Sequence, residues 1–158
     1  MEIIYLHHSG FAILANQFTI IIDFFEDSES ESCGIVHDKL LNKNGTMYVL
    51  SSHFHADHFN RQVLEWKKQK NDIKYIFSHD IHKRKRIEKD TAIWLKKGEE
   101  YADNNIKITA FGSTDVGISF MIEAEGKTLF HAGDLNNWHW MDESPEEEWK
   151  RDEQKFLN

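Results

Sequence analysis

Three imidazoles and a carboxylate fall between His53 and His58, in the run Ser51-Ser52-His53-Phe54-His55-Ala56-Asp57-His58. Imidazole nitrogen and carboxylate oxygen suit zinc, manganese, iron and similar borderline divalent ions, and four such groups in one loop are enough for parts of two metal sites. His53 and His55 stand two apart and point the same way if the backbone stays extended, whereas Asp57 and His58 follow the small Ala56, where the chain must bend. Divalent cations held by such a loop can lower the pKa of a bound water and polarise a neighbouring oxygen.

A loop of this kind must be held rigidly by the elements on either side. The apolar run Met47-Tyr48-Val49-Leu50 precedes it and reads as a buried strand, which would deliver the ligands at its carboxyl end, where open sheets commonly place their chemistry. Behind the loop, Phe59, Val63 and Trp66 recur at helical spacing, with Asp57 or Asn60 as cap, and Ile73-Lys74-Tyr75-Ile76-Phe77 is the next strand. Strand, helix and strand make a parallel βαβ unit.

Upstream, Ile3–Leu6, Phe11–Ala15 and Phe18–Asp23 read as a three-strand meander, with Asn16-Gln17 as one turn and His7-His8-Ser9-Gly10 as the other. The two histidines there read as loop residues or as lining for the mouth of the site. Glu26–Glu31 is an acidic stretch, a solvated surface or a lid, and Lys39–Gly45 reads as polar turn. Downstream, Thr91–Leu95 is weakly strand-like and Glu99–Asn105 connects it onward. Ile106, Ile108 and Ala110 alternate with polar residues, as do Ile118, Phe120 and Ile122, and Glu125-Gly126 turns the chain into a strand through Phe130. That pattern predicts antiparallel sheet with one buried face.

The loop residues His53, His55, Asp57 and His58 match the His-x-His-x-Asp-His signature of the metallo-β-lactamase-like fold, a superfamily of mostly two-metal hydrolases. Gly126-Lys127-Thr128-Leu129-Phe130-His131-Ala132-Gly133-Asp134 resembles the hairpin and loop in which that superfamily places an aspartate bridging both metals, here Asp134. The closer likeness is to small metal-dependent hydrolases related to the bacterial sugar-lactone hydrolases. The resemblance implies an α+β sandwich with packed helices, like the first half of the αββα fold. It also implies up to two divalent ions per chain, Zn²⁺, Mn²⁺ or Fe²⁺, and a metal-bound hydroxide attacking a lactone, ester or phosphodiester of a small molecule. His53 and His55 would hold one metal, Asp57 and His58 the other, and Asp57 would also orient the nucleophile.

This sequence departs from the family pattern in two places. The loop that usually supplies a third histidine offers Ser113, Thr114 and Asp115, and Asp115 either substitutes as an oxygen ligand or makes a turn hydrogen bond. The family's second half, with its further histidine, has no counterpart after Asp134 except His139, which lies between Trp138 and Trp140. His139 is therefore an alternative ligand or proton carrier in a pocket wall, or the three residues are packing surface or a protein interface. His131 is expected beneath the site, supporting a ligand, and Gly133 is expected to let the backbone come close to the metals. Ser144-Pro145-Glu146-Glu147 reads as a capping box opening a C-terminal helix over 144–158. The chain reads as one domain over 1–158, a naturally short member or a fragment. The non-enzymatic alternative is a metal-binding or interaction protein with an incomplete site, and a homo-oligomer is expected to complete the open sheet face.

Composition sets the remaining bounds. Twenty-seven Asp and Glu against 19 Lys and Arg give a formal charge of −8, which supports neither nucleic-acid nor anionic-membrane partners. His82-Lys83-Arg84-Lys85-Arg86 is the one strongly basic patch, and with His79-Asp80 it reads either as solvated surface or as a clamp for an anionic substrate. The single Cys33 cannot form an internal disulfide and reads as an inert thiol in a reducing compartment. The apolar stretch Phe18–Phe25, interrupted by Thr19 and Asp23, is far short of the about 20 residues that span a membrane, so a cytoplasmic protein is expected.

Overall fold

The computed structural model describes residues 1–28, 33–85, 87–136, 150 and 154. Two sheets pack face to face. The first has the order β1-β2-β3-β4-β5-β6, made of β1 (Glu2–Tyr5), β2 (Phe11–Leu14), β3 (Phe18–Ile22), β4 (Thr46–Ser51), β5 (Ile73–Ser78) and β6 (Ile93–Leu95). Its first three strands form the expected antiparallel meander, and β3 through β6 are parallel. The second sheet has the order β10-β9-β8-β7, all antiparallel: β7 (Glu100–Ala102), β8 (Ile106–Gly112), β9 (Ile118–Ala124) and β10 (Lys127–His131).

The parallel strands are buried on both faces because each alternates between two cores. Thr19 and Ile21 of β3, with Met47 and Val49 of β4, face a helical layer containing Phe24, Val36, Leu40, Phe59, Val63 and Trp66. Ile20, Ile22, Tyr48, Leu50 and Ile76 face the second sheet and meet Ile108, Ala110, Phe120 and Ile122. The layers therefore run helices, mixed sheet, antiparallel sheet. The outer face of the antiparallel sheet, with Lys107, Phe111, Glu123 and Phe130 exposed, carries no further layer among the described residues.

Three details differ from the sequence reading. The segment after the ligand loop, Arg61–Lys68, winds as a 3₁₀ helix, with Val63 and Trp66 three apart on its buried side and Asn60 accepting from the Gln62 N–H at its start. Val36–Leu40, which overlaps the stretch read as polar turn only at Lys39 and Leu40, is a short helix of π winding that buries Val36 and Leu40. Asp27, in the acidic stretch, is turned inward to hold the start of that helix. It accepts from the Val36 and His37 N–H groups at 3.0 Å each and pairs with His37 Nδ1 at 2.7 Å. Third, Glu100–Ala102 is a strand, not only a connection, and Thr91–Leu95 narrows to Ile93–Leu95. The basic segment forms α1 (His79–Lys85), which begins directly at the end of β5. Among the described residues, no helix is long and apolar enough to cross a membrane.

The end of the sandwich remote from the ligand loop is fastened by one carboxylate. Asp103 Oδ2 accepts from Tyr48 Oη at 2.8 Å, Tyr101 Oη at 2.7 Å and Lys74 Nζ at 2.7 Å, tying β4 and β5 to the antiparallel sheet. Burial alone would raise the Asp103 pKa, but Lys74 and the other donors outweigh it and hold the carboxyl well below the usual range. Burial pushes the Tyr48 phenol up to about 12.

Candidate metal centre

The ligand loop leaves β4 at Ser51 and is clamped within two residues. Ser52 N–H and Oγ both donate to Asp23, at 2.7 Å each, and the Ser52 carbonyl accepts from the Ile118 N–H at 3.0 Å. The chain then turns through Asp57, with the His58 and Phe59 N–H groups donating to the His55 carbonyl at 3.1 and 2.9 Å. Phe59 is buried against Phe77, ring centroids 5.3 Å apart, so the far end of the loop is anchored in the helical core.

Inside this frame the imidazoles converge. His53 Nε2 lies 3.0 Å from His55 Nδ1, and ligand atoms of His53, His55, Asp115 and Asp134 all fall within 4.8 Å of one another. Asp134 sits astride two groups of donors: its Oδ2 is 3.4 Å from His53 Nε2 and its Oδ1 is 3.0 Å from His58 Nε2. Asp57 Oδ2 is 3.4 Å from that same His58 nitrogen. One cluster thus comprises His53, His55, Asp115 and one oxygen of Asp134; the other comprises His58, Asp57 and the second oxygen. His53 and His58 are buried, while His55, Asp57, Asp115 and Asp134 are partly open to solvent, so the centre has a closed floor and an accessible mouth.

The two loops that carry the remaining carboxylates are locked to the first by glycine. Gly117 has φ of 80°, and a Cβ there would stand 2.2 Å from the Ser52 carbonyl oxygen and 2.5 Å from His53 Cβ. Gly133, φ 57°, lies against the Ser52 side chain, with an added Cβ 3.0 Å from Ser52 Oγ. The close approach expected of Gly133 is therefore to Ser52. Thr114 Oγ1 donates to the Asn136 carbonyl at 2.7 Å and accepts from the Asn136 N–H at 2.9 Å, which holds the Asp115 loop beside the Asp134 loop. The Asp115 N–H makes the turn bond, to Ser113 Oγ at 3.2 Å, and leaves the Asp115 carboxylate facing His55 Nδ1 at 3.9 Å.

Asp23 is the residue that sequence reasoning undervalued. It is wholly buried at the end of β3, with φ of 46°, and its Oδ2 accepts from His58 Nδ1 at 2.8 Å and His131 Nε2 at 2.7 Å as well as from Ser52 Oγ. A carboxylate on Nδ1 fixes the tautomer that presents the bare Nε2 of His58 to Asp134 and Asp57, an arrangement typical of metal-ligating histidines. Burial pushes the Asp23 pKa up, yet the bonds from His131, His58 and Ser52 more than offset it and keep the carboxyl ionised far below its usual range. Burial lowers the pKa of His58, but Asp23 and Asp134 reverse the sign and raise it; His53 is lowered by burial and by His58. The available signal was a charged residue closing the apolar run Phe18–Ile22, since a buried charge demands partners. His131 lies beneath the centre, where it supports His58 through Asp23. His139, Trp138, Trp140 and nearly all of 144–158 lie outside the described residues.

The donor set fits divalent ions that favour nitrogen and oxygen. His53 Nε2 and His55 Nδ1 oppose each other at hydrogen-bond distance, two carboxylates complete that group, and a carboxylate backs His58 from behind. Two sheets whose loops meet at such a centre define the metallo-β-lactamase fold. Residues 2–147 match the family model described as the beta-lactamase superfamily domain, and the chain belongs to that family. Among curated proteins none matches. Among solved structures it is similar to Igni18, a metallo hydrolase from Ignicoccus hospitalis, at 21% identity and TM-score 0.61, over 84% of this chain and 60% of that one. It is also similar to a protein assigned as a metal-dependent hydrolase from Parabacteroides distasonis, at 15% identity and TM-score 0.63, over 90% of this chain and 64% of that one. A third is CmlA, a diiron beta-hydroxylase from Streptomyces venezuelae, at 13% identity and TM-score 0.59, over 87% of this chain and 30% of that one. The chain thus spans less than two thirds of the length of each, and at these identities the likeness concerns the fold.

Proposed function

We propose that the chain is a metal-dependent hydrolase acting on a lactone, ester or phosphodiester of a small molecule, with Zn²⁺ as the first choice of ion and Mn²⁺ or Fe²⁺ as alternatives. The observation that carries this reading is the position of Asp134, one oxygen toward His53 and the other toward His58. His53, His55, Asp115 and Asp134 would hold one ion; His58, Asp57 and the second oxygen of Asp134 would hold the other. Bound ions supply Lewis acidity toward a carbonyl or phosphoryl oxygen and acidify water. The protein's own part is positional. Asp23 keeps His58 in one tautomer, Gly117 and Gly133 seat the loops, and Asp57, exposed at the mouth, would also orient the attacking water.

The test is metal content together with turnover. His55→Ala and Asp134→Ala should each lower bound zinc or manganese and abolish hydrolysis of bis(p-nitrophenyl) phosphate and of a simple lactone. Metal-dependent turnover that survives both substitutions would place the chemistry elsewhere.

A further inference from the structure

Building on the hydrolytic reading, we propose that the rim formed by Arg61, Arg84 and Lys85 around Phe54 binds the anionic group, phosphate or carboxylate, of the substrate. Phe54 lies between His53 and His55 in the ligand loop, and its N–H donates to Asp80 Oδ2 at 3.0 Å, which fixes the loop to α1. One side of the Phe54 ring contacts the His55 ring, centroids 4.6 Å apart. The same ring carries the Arg84 guanidinium carbon at 5.2 Å and Lys85 Nζ at 6.0 Å. Arg61 is drawn to the same place by its bond from Nη1 to the Lys85 carbonyl, 3.0 Å.

Three cations thus share one small surface in a chain of net charge −8, and among the described residues no carboxylate forms an ion pair with any of them. Crowded cations repel unless an anion joins them. A guanidinium seated on an aromatic ring still offers its planar N–H edge for bidentate recognition of an oxyanion. Because the Arg84 guanidinium and the His55 ring both neighbour the Phe54 ring, an anion held by Arg84 lies near the centre, and a small molecule anchored there would bring its scissile bond toward it.

The test begins with binding alone. Inorganic phosphate, and separately acetate, are titrated calorimetrically into the metal-free full chain. Saturable, salt-sensitive binding is expected, weakened about tenfold by Arg84→Gln, the loss of one charge-assisted contact. Lys85→Gln should weaken it too, and Lys127→Gln, on the far sheet edge, should not. Tighter binding of phosphate than of acetate assigns a phosphoryl group, the reverse a carboxylate, and either outcome supports the rim. With metal, Arg84→Gln should raise KM for mono-p-nitrophenyl succinate, whose carboxylate is separate from its scissile ester, about tenfold while leaving KM for neutral p-nitrophenyl acetate unchanged. Arg84→Lys, which keeps the charge, guards against loss of folding and should recover part of the binding. Phosphate and acetate no tighter than chloride, or equal KM changes for the two substrates, would overturn the proposal. His55→Ala should leave phosphate binding to the metal-free protein intact, so a failed hydrolytic reading and a failed rim are separable.

Discussion

Replacing Asp23 by Asn tests the centre where it is most constrained. The substitution keeps the shape of the side chain and removes its charge. Asn Oδ1 still accepts from the Ser52 N–H, but the amide NH₂ now faces Ser52 Oγ, His58 Nδ1 and His131 Nε2, the three groups that Asp23 Oδ2 engages at 2.7 to 2.8 Å. Both imidazoles must move their proton to the opposite ring nitrogen to accept from it, or leave a buried donor unpaired. For His58 the shift protonates Nε2, the atom 3.0 Å from Asp134 Oδ1. Charge-assisted hydrogen bonds contribute about 1.5–3 kcal/mol each and the tautomer change rescues part of them, so a net destabilisation of about 2–4 kcal/mol is expected. Loss of the supporting carboxylate should also lower metal affinity about 10- to 100-fold. Urea unfolding of the metal-free protein measures the first effect and competition with a chromophoric chelator the second. Because the folded-state pKa of Asp23 is depressed, its contribution is full above the unfolded value of about 4 and is lost as pH falls toward the folded one. The gap between wild type and Asp23→Asn should therefore narrow in acid. Equal urea midpoints at pH 7 together with equal metal affinity would refute the account of Asp23 as the support of His58.

Gly117→Ala should destabilise the fold by about 1–3 kcal/mol through its left-handed backbone alone, with more from the clash at Ser52, and should lower metal content; a shift of the urea midpoint measures it. Asp103→Asn should cost about 1–2 kcal/mol after allowing for partial exposure, and since the Asp103 pKa is also depressed, that cost should fade as pH drops below about 4 in urea titrations. Phe120→Ala, at a fully buried position between the sheets, should cost about 3–5 kcal/mol by chemical denaturation while leaving zinc stoichiometry unchanged under native conditions.

Local features were legible in the sequence. The ligands His53 to His58 are contiguous, their strand is a continuous apolar run, and the alternation of Ile106–Ala110 and Ile118–Ile122 marks a half-buried antiparallel sheet by its period alone. The Glu125-Gly126 hairpin was legible too, since both residues adopt positive φ, as a tight two-residue turn requires. Asp115 could be singled out only by its place in the loop, because either of its two readings satisfied the residue type. Asp23 was opaque for a different reason: its partners Ser52, His58 and His131 are distant along the chain, and no spacing rule links them. The winding of Arg61–Lys68 was hidden because Val63 and Trp66, three apart, fit a 3₁₀ turn as well as an α-helical one. The Val36–Leu40 helix is too short to show a period.

The bond between Asp23 and His131 joins positions 108 residues apart, across the seam between the two sheets. It cannot form until nearly the whole described chain has been synthesised and the sheets have docked. Loop-closure entropy makes contacts of this reach late and slow to arrive. His58 therefore acquires its full support only at the end of folding, and a nascent chain that has not yet made β10 carries the motif histidines without the geometry to use them.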